Sequence, residues 1–244
     1  MTTIRYPWDQ PPNNGEIREI AEGVMWLRLP LPMKLDHVNI YILDDGDGWT
    51  LIDTGIKTRK VIGMWQNLID NILSGKPIKR VIATHHHPDH VGLHGWFVEH
   101  YGAEYVSTQV AYLTARMLTL DTQEIYVESQ IDFYRKAGMR SDLFEVRKSE
   151  RPFNFSDIVH AIPIGFKKIF EGDKIEMGGR TWDIRVDHGH APDHATFWSC
   201  DDHLVLSGDQ IIPSISSNIG VYPTEPDANP LKEWMTSCKR LKEF

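Results

Sequence analysis

The chain has 244 residues, and 41% of them are hydrophobic, which is enough apolar material for a sizeable core. Its formal net charge of −8 at pH 7 argues against a general polyanion binder, because affinity for a phosphate backbone comes mainly from clustered Lys and Arg. The two cysteines, Cys200 and Cys238, lack C-x-x-C spacing, so the sequence gives no sign of a disulfide framework or a thiolate zinc site.

The sequence carries no signal for export or for a membrane span. Residues 1–10 lack the apolar core of a signal peptide, and no later stretch approaches about 18 apolar residues. We therefore expect a soluble, cytoplasmic protein without a membrane partner. No break in composition marks a boundary, so residues 1–244 are predicted to form one domain, and the oligomeric state is left open.

The first part of the chain is predicted to contain strands, followed by helix and strand in alternation. Apolar residues at helical spacing predict a helix over 58–73, which Gly75 ends. A buried strand is predicted over 78–84 and a helix over 91–101, closed by Gly102. This order is typical of a layered α/β arrangement. The strands predicted before the first helix cover 24–31, 37–43 and 49–53.

Residues from about 109 to 165 are predicted to form a charged, helical insertion packed beside the site. Two roles are open for it, a structural scaffold or a lid that contacts the substrate, because insertions often carry specificity. The chain then returns to strands and ends in an amphipathic helix. The later elements are predicted at 174–177, 181–187, 195–200, 203–207 and 231–241.

The densest group of metal-ligating side chains is the run 84–90, Thr-His-His-His-Pro-Asp-His, with the pattern H-x-H-x-D-H. In an extended segment alternate side chains share a face, so His85 and His87 can reach one ion while His86 points away. Pro88 supports this geometry, since it disfavours a helical conformation at the residue before it. The run directly follows the predicted buried strand, which is the context that a metal motif requires.

Two further ligands follow at the predicted turn between that strand and the next helix. Asp89 and His90 are offset from the first pair, so we expect them to serve a second ion. Nitrogen and carboxylate oxygen without thiolate suit zinc first, and iron, manganese or nickel after it. Two other polar segments, 187–194 and 207–209, also come at the ends of predicted strands, where a sheet can fix functional side chains.

Four motifs in this order resemble the metallo-β-lactamase fold superfamily, in the manner of a glyoxalase II-like or general metallo-hydrolase. They are Leu-Ile-Asp-Thr-Gly at 51–55, the run 84–92, Gly-His-Ala-Pro-Asp-His at 189–194 and Ser-Gly-Asp at 207–209. The resemblance spans about 23–244. It implies a four-layer αβ/βα sandwich of the metallo-β-lactamase type, with the helical insertion as an addition.

The resemblance also implies a binuclear zinc site, with iron or manganese as alternative metals. Asp53 is expected to steady a ligand from outside the ligand set, as carboxylates commonly do. His194 is expected either to do the same or to lie near the substrate, with an ordinary hydrogen-bonded histidine as the alternative. The implied ligands are His85, His87 and His190 for one ion, Asp89 and His90 for the second, and Asp209 as the bridge.

One departure from the family's pattern concerns the second ion. The family usually supplies a further histidine after the bridging aspartate, and none follows Asp209 here. Two interpretations are open. In the first, which we favour, the sequence lacks its natural C-terminal part, because it stops in a charged helix without a closing strand. In the second, the second site is weakened, and the enzyme works with one metal or with a ligand from elsewhere.

The predicted function is hydrolysis of a small acyl substrate, an ester, thioester or lactone, by a metal-activated hydroxide that Asp89 and Asp209 orient. The alternatives are a phosphodiesterase or ribonuclease, which the acidic charge disfavours, a β-lactamase, which the absent export signal disfavours, and a catalytically impaired scaffold. The missing late histidine alone supports the scaffold. Four tryptophans are candidates for lining an acyl pocket, although such aromatics are more often core. They are Trp8, Trp26, Trp96 and Trp182.

Overall fold

The computed structural model describes residues 4–242, and its larger sheet has seven strands that lie in chain order. The strands are β1 (Ile17–Ala21), β2 (Val24–Pro30), β3 (His37–Asp44), β4 (Trp49–Ile52), β5 (Ile78–Ile82), β6 (Glu104–Ser107) and β7 (Lys167–Lys168). The first four pair antiparallel, and the pairs β4–β5, β5–β6 and β6–β7 are parallel. Residues 1–3 and 243–244, at the ends of the predicted domain, lie outside the described residues.

A second, antiparallel sheet packs face to face on the first. Its strands are β8 (Lys174–Met177), β9 (Arg180–Asp187), β10 (His194–Ser199) and β11 (Val205–Leu206), in the order β11-β10-β9-β8. Buried side chains from both sheets form one apolar cluster, with Ile52 and Ile82 from the first sheet against Trp182 and Phe197 from the second. Removing this apolar surface from water holds the two sheets together.

Seven helices surround the sheets in the described part of the chain. They are α1 (Arg59–Asn71), α2 (Pro88–Val91), α3 (His94–Tyr101), α4 (Gln109–Leu120), α5 (Glu128–Lys136), α6 (Ser141–Ser149) and α7 (Pro230–Leu241). The outer face of the larger sheet is covered by α1 and α3, whose Trp65 and Phe97 rings meet edge to face at 5.0 Å. No helix within residues 4–242 has the length and apolarity that crossing a membrane requires.

The layered α/β arrangement is confirmed, and two local predictions are corrected. The single helix predicted over 91–101 is two helices, because Gly92 and Leu93 interrupt it and the Leu93 amide donates to the Thr54 hydroxyl instead. Pro88 opens the first of them, where its missing N–H costs nothing. Sequence patterns also missed β1, β6 and β7, which are five, four and two residues long.

A close contact of α3 gives a test of this packing. A methyl group at Gly95 would lie 1.9 Å from the backbone oxygen of Ala161, whereas nothing lies within 4 Å of a methyl group at Gly63 in α1. We expect Gly95→Ala to lower the free energy of unfolding by about 2 kcal/mol or more, since backbone must move. Gly63→Ala should raise it by about 0.5–1 kcal/mol. Urea unfolding measures both, and equal stability of the two variants would contradict this packing.

Candidate metal centre

The polar motifs of the sequence meet at one edge of the sandwich. Asp53 follows β4 and the run 84–90 follows β5, and these neighbouring parallel strands bring their carboxyl ends to the same edge. His190 follows β9 and Asp209 follows β11, in the second sheet. The site therefore lies where both sheets end, and each side chain is held by a strand of the sandwich.

Three imidazole nitrogens form the first ligand group. The Nε2 atom of His85 lies 3.0 Å from Nδ1 of His87 and 3.2 Å from Nε2 of His190. Nitrogen ligands around a tetrahedral zinc ion, with bonds of 2.0–2.1 Å, are separated by about 3.3 Å, so this spacing suits one shared ion. The three residues are one of the two groups of described residues that can hold a metal ion.

Hydrogen bonds fix two of these rings in the form that binds a metal. The Nδ1 of His190 lies 2.8 Å from the backbone oxygen of Asn218, which can only accept, so Nδ1 carries the proton and Nε2 is bare. The Thr84 hydroxyl donates to Asp53 Oδ2 at 2.8 Å, so Nδ1 of His85 donates to that hydroxyl at 2.9 Å. The Nε2 of His85 is therefore bare as well.

Burial keeps the first group neutral. It lowers the pKa of His85 and His87 well below the usual value, and neighbouring histidines lower it further. The pKa of His190 is also lowered, chiefly by burial. Metal binding requires the unprotonated imidazole, so these histidines do not have to release a proton to bind an ion at neutral pH.

The second ligand group contains His85, His90 and Asp209. The Nε2 atom of His90 lies 3.5 Å from Oδ1 of Asp209 and 3.6 Å from Oδ2 of Asp89. The other oxygen of Asp209, Oδ2, lies 3.5 Å from Nε2 of His190, in the first group. Asp209 thus presents one carboxylate oxygen to each group.

The electrostatics of the second group favour a positive charge. Burial lowers the pKa of His90, but Asp209, Asp53 and Asp89 outweigh it and raise that pKa well above its usual value. Burial raises the pKa of Asp209, but the neighbouring histidines outweigh it and hold that pKa well below its usual value. The Nε2 of His90 is buried and has no hydrogen-bond partner among residues 4–242. A buried imidazole nitrogen beside carboxylates matches the donor set of a divalent metal ion.

Asp53 lies beneath both groups and orients them. Its carboxylate accepts from the Thr84 amide at 2.8 Å and from Nδ1 of His90 at 2.7 Å, in addition to the Thr84 hydroxyl. Its backbone has φ 63°, which is uncommon for a residue other than glycine and tolerated best by Asp and Asn. Through Thr84 and His90, this one buried carboxylate fixes a ring in each group.

His194 lies next to the ligands but outside both groups. Its ring stacks on His85 with centroids 4.5 Å apart, and its Nε2 accepts the backbone N–H of Asp209 at 3.2 Å. Burial lowers its pKa to about 3, so it is a neutral acceptor. Ser217 donates to the backbone oxygen of Asp209 at 2.6 Å, so His194 and Ser217 hold the peptide groups around that residue.

The structure therefore brings together the six predicted ligands, with Asp53 and His194 beside them. One detail differs from the prediction, since Asp89 and His90 lie in α2 rather than in a turn. Sequence reasoning missed Thr84 as a partner of His85, and it missed Asn218 and Ser217, which no motif marks. The remaining histidines lie outside both groups; they are His37, His86, His94, His100, His160, His188 and His203.

A cavity of about 340 Å³ opens beside His190, between α4 and the loop that precedes α7. Val110, Thr114 and Met117 of α4 line it, so this helix of the insertion faces the cavity. None of the four tryptophans proposed for an acyl pocket is among the described residues that line it, and Trp96 and Trp182 are buried in the core. The large apolar surfaces of Trp96 and Trp182 pack between layers of the fold.

A two-sheet α/β sandwich with clustered histidines and aspartates at its edge defines a metallo-hydrolase. Residues 33–243 match the family model of the metallo-beta-lactamase superfamily. The chain belongs to this superfamily, as its motifs predicted, and its fold is the superfamily's sandwich. Divalent metal binding is the property that this fold and the His and Asp groups imply.

Similar proteins agree with this assignment. The chain is 26% identical over 228 residues to the probable metallo-hydrolase YqjP of Bacillus subtilis (strain 168), covering 92% of this chain and 69% of that protein. A beta-lactamase domain protein from Burkholderia ambifaria shares 34% identity and a TM-score of 0.83, over 96% of this chain and 70% of that one. A metallo-beta-lactamase family protein from Thermus thermophilus shares 27% identity and a TM-score of 0.76, over 91% and 70%.

Proposed function

We propose that the protein is a zinc-dependent hydrolase of a small acyl substrate, an ester, thioester or lactone. The observation that carries this proposal is the arrangement of Asp209, whose two oxygens face two adjacent groups of imidazole nitrogens. His85, His87 and His190 would hold one ion, and Asp89 and His90 the other, with Asp209 between them. Bound divalent ions supply Lewis acidity, which polarises a scissile carbonyl and lowers the pKa of water.

The chain's own residues orient the water. Asp209 is ionised at neutral pH because the neighbouring histidines hold its pKa low. Its carboxylate can therefore accept a hydrogen bond from the attacking water and fix its position. Asp89 is partly exposed, with 18% of its side chain accessible, and it lies on the same side of His90 as Asp209. It is placed to bind that water from the solvent side.

The size and lining of the cavity support the proposed substrate class. A volume of about 340 Å³ is at the small end for ligand sites, which favours a small molecule over a polymer. Recognition of a phosphodiester would use lysine or arginine, and the described residues that line the cavity include neither. These features support an acyl substrate over a nucleic acid.

Metal removal and replacement test this proposal. After dialysis against a chelator, we expect hydrolysis of 4-nitrophenyl esters, thioesters and lactones to fall by about a hundredfold or more, and added Zn²⁺ to restore it. Zn²⁺ should also raise the melting temperature, because a ligand that binds only the folded state stabilises it. Adding Mn²⁺ or Fe²⁺ in place of Zn²⁺ compares the activity that each metal restores. Full activity in metal-free protein, or no acyl hydrolysis in metal-replete protein, would contradict the proposal.

A further inference from the structure

The cavity beside His190 is placed to receive the acyl part of a substrate. His190 belongs both to the first ligand group and to the wall of the cavity, and the segment from Gly189 to Pro192 continues that wall. A carbonyl placed at the ligand groups would therefore leave its substituent in this space. The chemistry of the other walls then decides which substituents fit.

Two walls of the cavity present apolar side chains that are more than a third exposed in the described fold. Val110 and Met117, seven residues apart on one side of α4, are 38% and 49% exposed, and Tyr222 in the loop is 47% exposed. Exposed large apolar groups that face one another across a cleft are typical of a binding site. They favour an apolar acyl chain.

The charged side chains on the cavity wall are all acidic, apart from the imidazoles. Glu225 and Glu233 line it, and among the described residues no lysine or arginine does. The sequence from 209 to 231 carries three acidic residues and no lysine or arginine. Arg116 of α4 donates to the Ile162 backbone oxygen, and Lys232 lines a neighbouring depression whose wall Glu233 shares.

From these walls we infer that the site selects uncharged esters or lactones with an apolar acyl chain and rejects acyl groups that carry a negative charge. This inference rests on the proposed function and narrows it. Two carboxylates on the cavity wall repel an anionic group at the far end of a bound acyl chain, by about tenfold each in kcat/KM at low salt for charges about 4 Å apart. Thioesters of anionic thiols and phosphodiesters would be poor substrates for the same reason.

Bound metal ions would attract an anion towards the reacting centre, so the test has to isolate the effect of the glutamates. Two matched probes do this: 4-nitrophenyl hexanoate and the 4-nitrophenyl half-ester of adipic acid, which differ in a terminal methyl or carboxylate group. Wild-type protein with zinc should prefer the hexanoate by about a hundredfold in kcat/KM, and Glu225→Gln/Glu233→Gln by less than about tenfold. Because the metal ions are the same in both proteins, the difference in preference reports the effect of the glutamates alone.

A control variant removes the same charge at the opposite end of the sandwich. Glu22 and Glu176 are exposed beside the turns that join β1 to β2 and β8 to β9, away from the edge that carries the ligands. Glu22→Gln/Glu176→Gln should keep the wild-type preference. In wild-type protein, 0.5 M NaCl should reduce the preference for the hexanoate over the half-ester, because salt screens exposed charges.

The outcomes separate the two proposals. If metal-replete protein hydrolyses neither probe, nor any other acyl substrate, the proposed function is wrong. If it hydrolyses both, and the preference is the same in the wild type, the cavity variant and high salt, the acyl hydrolase stands and the charge selection is wrong. If the preference for the hexanoate falls as much in the control variant as in the cavity variant, it depends on the net charge of the protein. That result would also overturn the inference.

Discussion

Replacing Asp209 by alanine is expected to lower kcat/KM for acyl hydrolysis by about a thousandfold or more, equivalent to about 4 kcal/mol of transition-state stabilisation. The reason is its position between the two ligand groups, with one oxygen 3.5 Å from His90 and the other 3.5 Å from His190. Its loss removes a ligand from both proposed ions and the carboxylate that orients the water. Metal content, measured by mass spectrometry, should fall together with activity.

The fold should survive this change, because the Asp209 side chain is 27% exposed and packs in none of the apolar clusters. Asp209→Asn tests charge at nearly constant shape and should lose nearly as much activity as the alanine variant. Asp70→Asn, an exposed position on α1, is the control and should behave as the wild type. Wild-type turnover by Asp209→Ala would remove this residue from the mechanism.

Replacing Asp53 by alanine is expected to cost about 3–5 kcal/mol of stability in the metal-free protein. The change leaves the Thr84 amide and Nδ1 of His90 buried without an acceptor, at about 1–3 kcal/mol each. It also places alanine at φ 63°, which adds about 1–2 kcal/mol. Because Asp53 orients His85 through Thr84 and His90 directly, zinc affinity should fall about 10–100-fold as well.

Urea unfolding and zinc titration against a chelating dye measure these two effects. Asp53→Asn keeps a residue that tolerates the left-handed backbone and one acceptor oxygen, so its losses should lie between those of alanine and the wild type. Asp47→Ala removes an exposed aspartate paired with Lys79 and should change stability by less than about 1 kcal/mol. If Asp53→Ala matched Asp47→Ala in both measurements, the orienting role would be refuted.

Local spacing in the sequence was sufficient for much of the fold. The strand 174–177 and the helix ends near Gly75 and Gly102 were predicted within a few residues, because side-chain periodicity and glycine conformation are local properties. Strands β6 and β7 were missed for the opposite reason. They are four and two residues long, and pairing with their neighbours rather than their own pattern makes them strands.

The sequence by itself predicted which side chains come together at the candidate metal centre, since motifs such as H-x-H-x-D-H and their positions after strands are encoded within a few residues. Only the tertiary structure decided how they are held and what they face. Asp53 orients His85 through Thr84, 31 positions later, and Asn218 fixes His190 across 28 positions. The cavity joins α4 to a loop about a hundred residues later. Such partners meet because the two sheets pack together, and no local pattern records a contact made by packing.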